Sequence, residues 1–339
     1  MKNVIEANIN SYEDINWPNK NTKQNYSFIR SKNNNTVKIP VTIINGHLDG
    51  PTFSIMSGMH AGEYSGMIAA QKIISNISPS NLHGKLIIIP VISVEAFYQR
   101  SMQISPIDQK EVHFIQPGNP LGTYSELLID TIFQIVKKSD YLIDMHSGEL
   151  VQSLHPWVPV PLLGSNDMKD KAKLLARGYR VDFVEYREDL ASIPPLCISL
   201  ADEGIVNIWV EIGKNGIPTS SDVSRHYDGI ISALKSVGCL AGKAEKPKQK
   251  IIKGRRYQIN AKHSGFWHPD IREGQIVEKG QILGKITDFF GNLIEEYKAP
   301  EKSLVLYYWT SPAIDIERKP HGYDWHSGLI SLLELNEIK

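Results

Sequence analysis

The sequence predicts an α/β protein: a mostly parallel sheet flanked by helices, followed by a small all-β module. Three observations carry this. Strand-like and helix-like runs alternate from Thr36 to about Gly238. One run, KLIIIPVIS (85–93), is apolar without alternation, as in a strand buried on both faces. Beyond the polar, basic stretch AGKAEKPKQK (241–250), short strands and Gly turns continue to about Ile316 with no helical period.

The elements follow in order. The first 35 residues are polar and rich in Asn and read as an arm or edge element with weak order, which Trp17 and Phe28 can tack down. VKIPVTIING (37–46) and TFSIMSG (52–58) are β-type runs around the turn signal Leu48-Asp49-Gly50-Pro51. EYSGMIAAQKIISNI (63–77) has a helical period through Met67, Ala70, Ile74 and Ile77. YSELLIDTIFQIVKKS (124–139) is an amphipathic helix with Leu127, Leu128, Ile132 and Ile135 on its stripe. YLIDMHS (141–147) is a strand, NDMKDKAKLLARG (166–178) a helix, and RVDFVEY (180–186) and IVNIWVEIG (205–213) are strands. SDVSRHYDGIISALKSVG (221–238) starts on N-cap residues and ends on Gly. The organisation expected is an arm over 1–35, an α/β domain over 36–240, a linker over 241–250 and a β module with a C-terminal tail over 251–339.

Composition excludes several functions. Lys+Arg and Asp+Glu are both 37, so the net charge is zero and no basic footprint invites nucleic acid. The longest apolar stretch, Leu86 to Phe97, contains Pro90, Ser93 and Glu95 and is too short to span a membrane. The start lacks the apolar block of a secretory signal, and two cysteines make no disulfide framework, so a cytoplasmic protein is expected.

Three stretches carry chemistry. In SGMHAGEYSG (57–66), His60 and Glu63 lie three apart where a strand gives way to a helix, so imidazole and carboxylate can converge. Taken alone this also fits a capped helix start with a surface Glu. In LIDMHSGE (142–149), His146 ends an apolar strand, where open α/β sheets place ligands. Asp144, two residues earlier, shares its face and can orient it. In NIWVEIG (207–213), Glu211 ends another apolar strand, which suits a partly buried general base as well as a salt-bridged strand end. Together His60, Glu63 and His146 give three zinc ligands and leave a fourth position for water. Glu211 is the candidate proton carrier, and the reaction class is amide or ester hydrolysis.

The order HxxE, strand-borne DxH, VEIG and a small β module resembles the succinylglutamate desuccinylase/aspartoacylase family. The resemblance runs from about Val37 to Ile316 and includes VEKGQILGKITDFFG followed by KAP in the last module. It implies a carboxypeptidase A-like fold, a barrel-sandwich end module, one Zn2+ per chain and deacylation of a small N-acyl amino acid or amine. It also implies His60, Glu63 and His146 as ligands and Glu211 as catalytic base. One segment departs from the family. Where the family carries Asp-x-x-x-x-Asn-Arg-x-Phe-Pro-Gly with an earlier Arg, this chain reads SPIDQKEVHFIQPGNP (105–120). Asp108 and Pro117-Gly118 match; His113 and Phe114 replace the Asn-Arg pair, and Gln103 replaces the Arg. The resemblance thus assigns Gln103, Asp108, His113 and Phe114 to substrate, and Arg100 to the catalytic arginine's role. A bidentate Arg clamp cannot be replaced by Phe without losing carboxylate recognition. The substrate therefore lacks a carboxylate there, or aromatic stacking holds it, or catalysis is lost. A zinc carboxypeptidase and a metal-binding protein without catalysis stay open, as does a homo-oligomer.

Other residues attract weaker readings. His47, His83, His155, His226, His263, His268, His321 and His326 sit in turns or polar segments and read as surface groups. The segment His155-Pro156-Trp157 is also placed to line a pocket. Cys197, in an apolar run, reads as core. Neither Asp288-Phe289-Phe290-Gly291 nor Ile271-Arg272-Glu273-Gly274 offers the modified Lys of a biotinyl or lipoyl carrier, so the module reads as a structural or gating lid.

Overall fold

The computed structural model describes residues 4–115, 117–252, 254–317 and 328–335. Its strands and helices are β1 (Val4–Asn8), β2 (Thr22–Lys32), β3 (Asn35–Asn45), β4 (Leu48–Ser57), α1 (Tyr64–Asn76), β5 (His83–Ile89), α2 (Val94–Gln99), α3 (Tyr124–Val136) and β6 (Tyr141–His146). There follow β7 (Gln152–Leu154), β8 (Trp157–Pro161), α4 (Asn166–Ala176), β9 (Phe183–Arg187), α5 (Pro195–Asp202), β10 (Val206–Glu211), α6 (Ser220–Ser236) and β11 (Lys250–Ile252).

One large mixed sheet runs in the order β1-β2-β3-β5-β4-β6-β10-β8-β9-β11. Its centre is parallel: β4 lies between β5 and β6, and β6 beside β10. Period-2 geometry sorts the apolar run of β5. Leu86 and Ile88 enter the core on one face, and Ile87 and Ile89 enter the core on the other. The first core is closed by α1, α4 and α6 through Ala69, Ala70, Leu175, Ile230 and Ala233. The second is closed by α3 and α5 through Leu127, Leu128, Ile132, Leu196 and Leu200. Helix α3 starts from a capping box between Thr123 and Glu126.

Several expectations change. The Asn-rich start is an edge element of the large sheet, but not a weakly ordered one: β2 pairs with β3 along its whole length, from Thr22↔Asn45 to Lys32↔Asn35. Its alternate residues Tyr26, Phe28 and Arg30 are buried, and a pattern of only a few apolar residues hid the alternation. The signal at Leu48-Asp49-Gly50-Pro51 is the irregular start of β4, with a register shift between Leu48 and Thr52. Strand β8 (WVPVP) was missed because its two prolines argue against a sheet interior.

The remaining strands are β12 (Arg256–Asn260), β13 (Gly265–Pro269), β14 (Ile276–Val277), β15 (Ile282–Thr287), β16 (Leu293–Lys298), β17 (Ser303–Trp309), β18 (Ala313–Ile314) and β19 (Gly328–Glu334). They form two sheets, β12-β19-β17-β14 and β16-β15-β13-β18, with antiparallel pairings. Trp267, Leu283, Ile286, Val305 and Leu332 are buried in a shared core. This unit is sewn onto the α/β part. Strand β7 pairs with β17, and β11 pairs with β9 of the large sheet, so the end of the expected linker is itself a strand. Among the described residues no helix is long and apolar enough to cross a membrane. His321 and His326 lie outside the described residues.

Gly66 decides how closely α1 approaches β6. A Cβ there would lie 2.8 Å from Met145 Cβ and 2.9 Å from the Met145 carbonyl oxygen. Helix propensity favours Gly→Ala by about 1 kcal/mol, whereas overpacking costs about 1–3 kcal/mol. The clash involves backbone and should win. Gly66→Ala is expected to lower the urea midpoint; a raised midpoint would show that α1 has slack.

Candidate active site

The sheet order brings the chemistry together. Strands β4, β6 and β10 are parallel neighbours, so their C-terminal ends share one edge. Ser57 of β4 is in register with Met145, and His146 with Glu211. The chain leaves β4 through Gly58, at φ +70°, and turns into α1, with Glu63 at the helix N-cap position. His60 and Glu63 therefore stand beside His146. One ligand atom from each of these three residues lies within 4.8 Å of the others.

The hydrogen bonds order this cluster. Glu63 bridges both imidazoles, with Oε1 2.8 Å from His60 Nδ1 and Oε2 2.9 Å from His146 Nδ1. The Ser147 N–H donates to the same Oε2 at 3.2 Å. Each ring's Nε2 faces another carboxylate: Glu111 Oε1 at 3.2 Å for His60 and Asp144 Oδ2 at 2.9 Å for His146. Glu63, Glu111, Asp144, His60 and His146 are all buried. Three buried carboxylates thus face two imidazoles, an arrangement stable only if protons or a cation balance it. As it stands, burial opposes charge on His60, but Glu63 and Glu111 outweigh burial and lift its pKa to about 10. Burial would raise Glu63, but His146 and His60 hold it down at about 2. The donor set suits a metal. Each Nδ1 points to the shared centre, while each Nε2 is held by a carboxylate that fixes the ring.

Glu211 lines the same cavity, of about 590 Å³. Burial pushes its pKa up to about 8; the charge of His146 opposes the rise and that of Glu63 adds to it. Behind it, His226 Nε2 donates to the Ile212 carbonyl at 2.9 Å. This histidine, read as a surface group, is fully buried. The helical period of α6 turns it inward, against the segment that carries Glu211. Gly213, at φ +114°, lets the chain turn after β10 where a Cβ would meet Ser65 Oγ at 2.6 Å.

The 103–114 loop divides. His113 comes into the site: its ring stacks on His60 at 5.4 Å and meets His146 edge-on at 5.4 Å. Its Nδ1 is buried without a hydrogen-bond partner, and burial, reinforced by the two neighbouring histidines, depresses its pKa to about 3. Phe114, more than half exposed, and Gln103 also line the cavity. Asp108 does not; it accepts from the Ser125 N–H at 2.8 Å and hydroxyl at 2.6 Å, and pins the loop to α3. Nor does Arg100. It ends α2 in the left-handed conformation, at φ 54°, and its exposed side chain lines a separate cavity with Tyr64, Phe97 and Pro218. The short helix α2, not anticipated from sequence, turns Arg100 away.

Sequence reasoning missed Glu111. It holds His60 and accepts from the His113 and Phe114 backbone N–H groups at 2.9 and 3.1 Å. Its signal, a lone acid two residues before His113, has no distinctive spacing. Also missed were Trp209 and, from the β unit, Arg256 and Tyr307, which complete the cavity wall. Arg187, which no spacing singles out in the sequence, and Trp157 line it too, whereas His155 packs on Phe183. Cys197 is buried on α5, as expected.

Comparison with known proteins shows which sequences and folds this chain is similar to. Residues 49–161 match the family model for the succinylglutamate desuccinylase/aspartoacylase catalytic domain. The chain is 24% identical over 257 residues, 74% of its length and 75% of the relative's, to an N-alpha-acetyl-L-2,4-diaminobutyric acid deacetylase of Halomonas elongata. Its fold is shared with a succinylglutamate desuccinylase of Silicibacter (TM-score 0.78, 20% identity, covering 92% of this chain and 95% of that one). It is shared equally with the ectoine utilization protein EutE (DoeB) of Ruegeria pomeroyi in its product-bound form (TM-score 0.78, 20% identity, 92% and 94%). The HxxE, DxH and VEIG motifs thus stand in order on the strand ends of a fold shared with succinylglutamate desuccinylase/aspartoacylase proteins, whose catalytic-domain model matches residues 49–161 of this chain.

Proposed function

We propose that this protein is a zinc-dependent amidohydrolase that deacylates a small N-acyl amino acid. The observation that carries the reading is the shared Nδ1 centre: two imidazoles meet at Glu63, and each is fixed from behind by a buried carboxylate. Two nitrogens and one carboxylate with an open fourth position suit zinc in a hydrolytic role. His60, Glu63 and His146 would hold the ion, and when bound it supplies Lewis acidity towards the scissile carbonyl and the attacking water. The relative that deacetylates an acetylated diaminobutyric acid supports the amide class. We also read the fold as carboxypeptidase A-like and residues 251–339 as a barrel-sandwich unit that walls the cavity. Two free, buried cysteines accord with a cytoplasmic location.

The chain's own groups divide the work. Glu211 takes a proton from the attacking water and delivers it to the leaving amine nitrogen. Burial raises the proton affinity of its carboxylate, which suits it to accept that proton. His113, neutral and facing the cavity, donates an N–H to the acyl oxygen as charge develops there. Arg100 has no part in this scheme, because it opens on another cavity.

Three outcomes follow. Purified protein should contain close to one zinc per chain, and His60→Ala should lose it by elemental analysis; unchanged zinc in the variant would remove the ligand assignment. Glu211→Gln should keep its zinc but lose about 10²–10⁴-fold in kcat on N-acyl amino acids. Retained turnover would show that another group moves the proton. Loss of an oxyanion donor costs about 10²–10³, so His113→Ala should lose kcat on that scale while Arg100→Ala should not. The reverse order would restore Arg100 to the site.

A further inference from the structure

We propose that Arg187 and Arg256 form the anion-binding subsite of this cavity, so that the substrate carries a free carboxylate presented to the wall of Trp157 and Trp209. The inference rests on the amidohydrolase reading for the identity of the ligand, and on the arrangement of this wall for its chemistry.

Both guanidiniums line the cavity that holds His60, Glu63, His146 and Glu211. Arg187 ends β9, and Arg256 opens β12 of the C-terminal unit. They converge on Glu185. Arg256 donates from Nε at 3.2 Å to one of its oxygens and from Nη2 at 3.1 Å to the other. Arg187 donates from Nη2 at 3.0 Å, and Trp157 from its indole N–H at 3.2 Å. Two cations thus share one carboxylate. Each also sits over an indole: Arg187 is 4.8 Å from the Trp209 ring centre and Arg256 is 5.4 Å from that of Trp157. The planes of the forks are fixed, and a fixed fork is what bidentate carboxylate recognition requires.

The bond inventory leaves capacity for a ligand. A guanidinium carries five N–H donors. Arg187 is about nine-tenths buried; Nη2 donates to Glu185 and Nη1 to the Ser192 carbonyl at 2.5 Å, and its Nε has no hydrogen-bond partner. A buried, unpaired donor on a cation is costly unless something accepts from it. Burial and the charge of Arg256 both act to push the Arg187 pKa down, so an arriving anion would relieve the pair. Positions 113–114 are His and Phe, so neither offers a guanidinium. Here two arginines from other elements stand in the same cavity, one supplied by the β unit. The competing role is structural, because Arg256–Glu185 also ties that unit to the large sheet.

Calorimetry on the full-length protein separates the roles. The probes are Nα-acetyl-L-2,4-diaminobutyrate and N-acetyl-L-leucine, each as the free acid and as the α-carboxamide. Wild-type protein should bind each acid at least about tenfold more tightly than its amide. Arg256→Met should weaken the acids by a similar factor, leave the amides unchanged and bring the ratio close to one. Arg256→Lys, which keeps the charge but not the fork, should fall between and serves if the Met variant does not fold. Equal binding of acid and amide by the wild type, binding of neither, or equal weakening of both by the variants would overturn the proposal. Glu211-dependent turnover of acids and amides alike would remove this subsite and leave the amidohydrolase reading standing. Acid-selective binding without such turnover would do the reverse.

Discussion

The structure depends on one constraint: three buried carboxylates and two imidazoles must be held together beside the ends of parallel strands. Strands β4, β6 and β10 can do so because each is a central strand with both faces covered, so its end cannot shift without disturbing two cores. Glu63 is the pivot. It belongs to α1, yet it accepts from the backbone of Ser147 after β6 and meets rings from both sides. The charge inside this knot is balanced by protons or by a cation, and the ring orientations favour the cation. In each imidazole the nitrogen that faces the centre is Nδ1, and the one that faces a supporting carboxylate is Nε2.

The walls complete what the strand ends begin. The loop around His113 is held on one side by Asp108 on Ser125 and on the other by Glu111 on His60. His113 and its neighbours are thus firmly positioned. The C-terminal unit contributes Arg256 and Tyr307 to the cavity. It is part of the site rather than a detachable lid, and β7 and β11 on its two borders fix it in place. The chain's zero net charge therefore coexists with a strongly polarised cavity, with carboxylates at the strand ends and guanidiniums on the tryptophan wall.

The convergence of these residues was legible in the sequence where local pattern sets position. His60, Glu63, Asp144, His146 and Glu211 stand at or just beyond the ends of apolar runs, and the structure brings them together. The sheet and α3 follow from periodicity. What was illegible depends on contacts across the chain. Arg100 and His113 are close in sequence to the right segment, but a six-residue helix and a carboxylate cap send them to different cavities. Glu111 meets His60, and Arg187 and Arg256 reach the cavity, only because distant elements come together. His226 looked exposed because polar residues surround it in sequence, although helical spacing turns it towards Ile212. The Asn-rich start concealed β2 because only every second residue is buried, and few of those are plainly apolar.

The central claim is that His60, Glu63 and His146 share one zinc ion through the two Nδ1 atoms. Anomalous diffraction at the zinc absorption edge, from crystals of protein purified without chelator, tests it most directly. The account predicts one peak at the point shared by His60 Nδ1, His146 Nδ1 and the Glu63 carboxylate, with Glu111 and Asp144 still bonded to the Nε2 atoms. No peak at that point, or a peak on the Nε2 side of either ring, would contradict it.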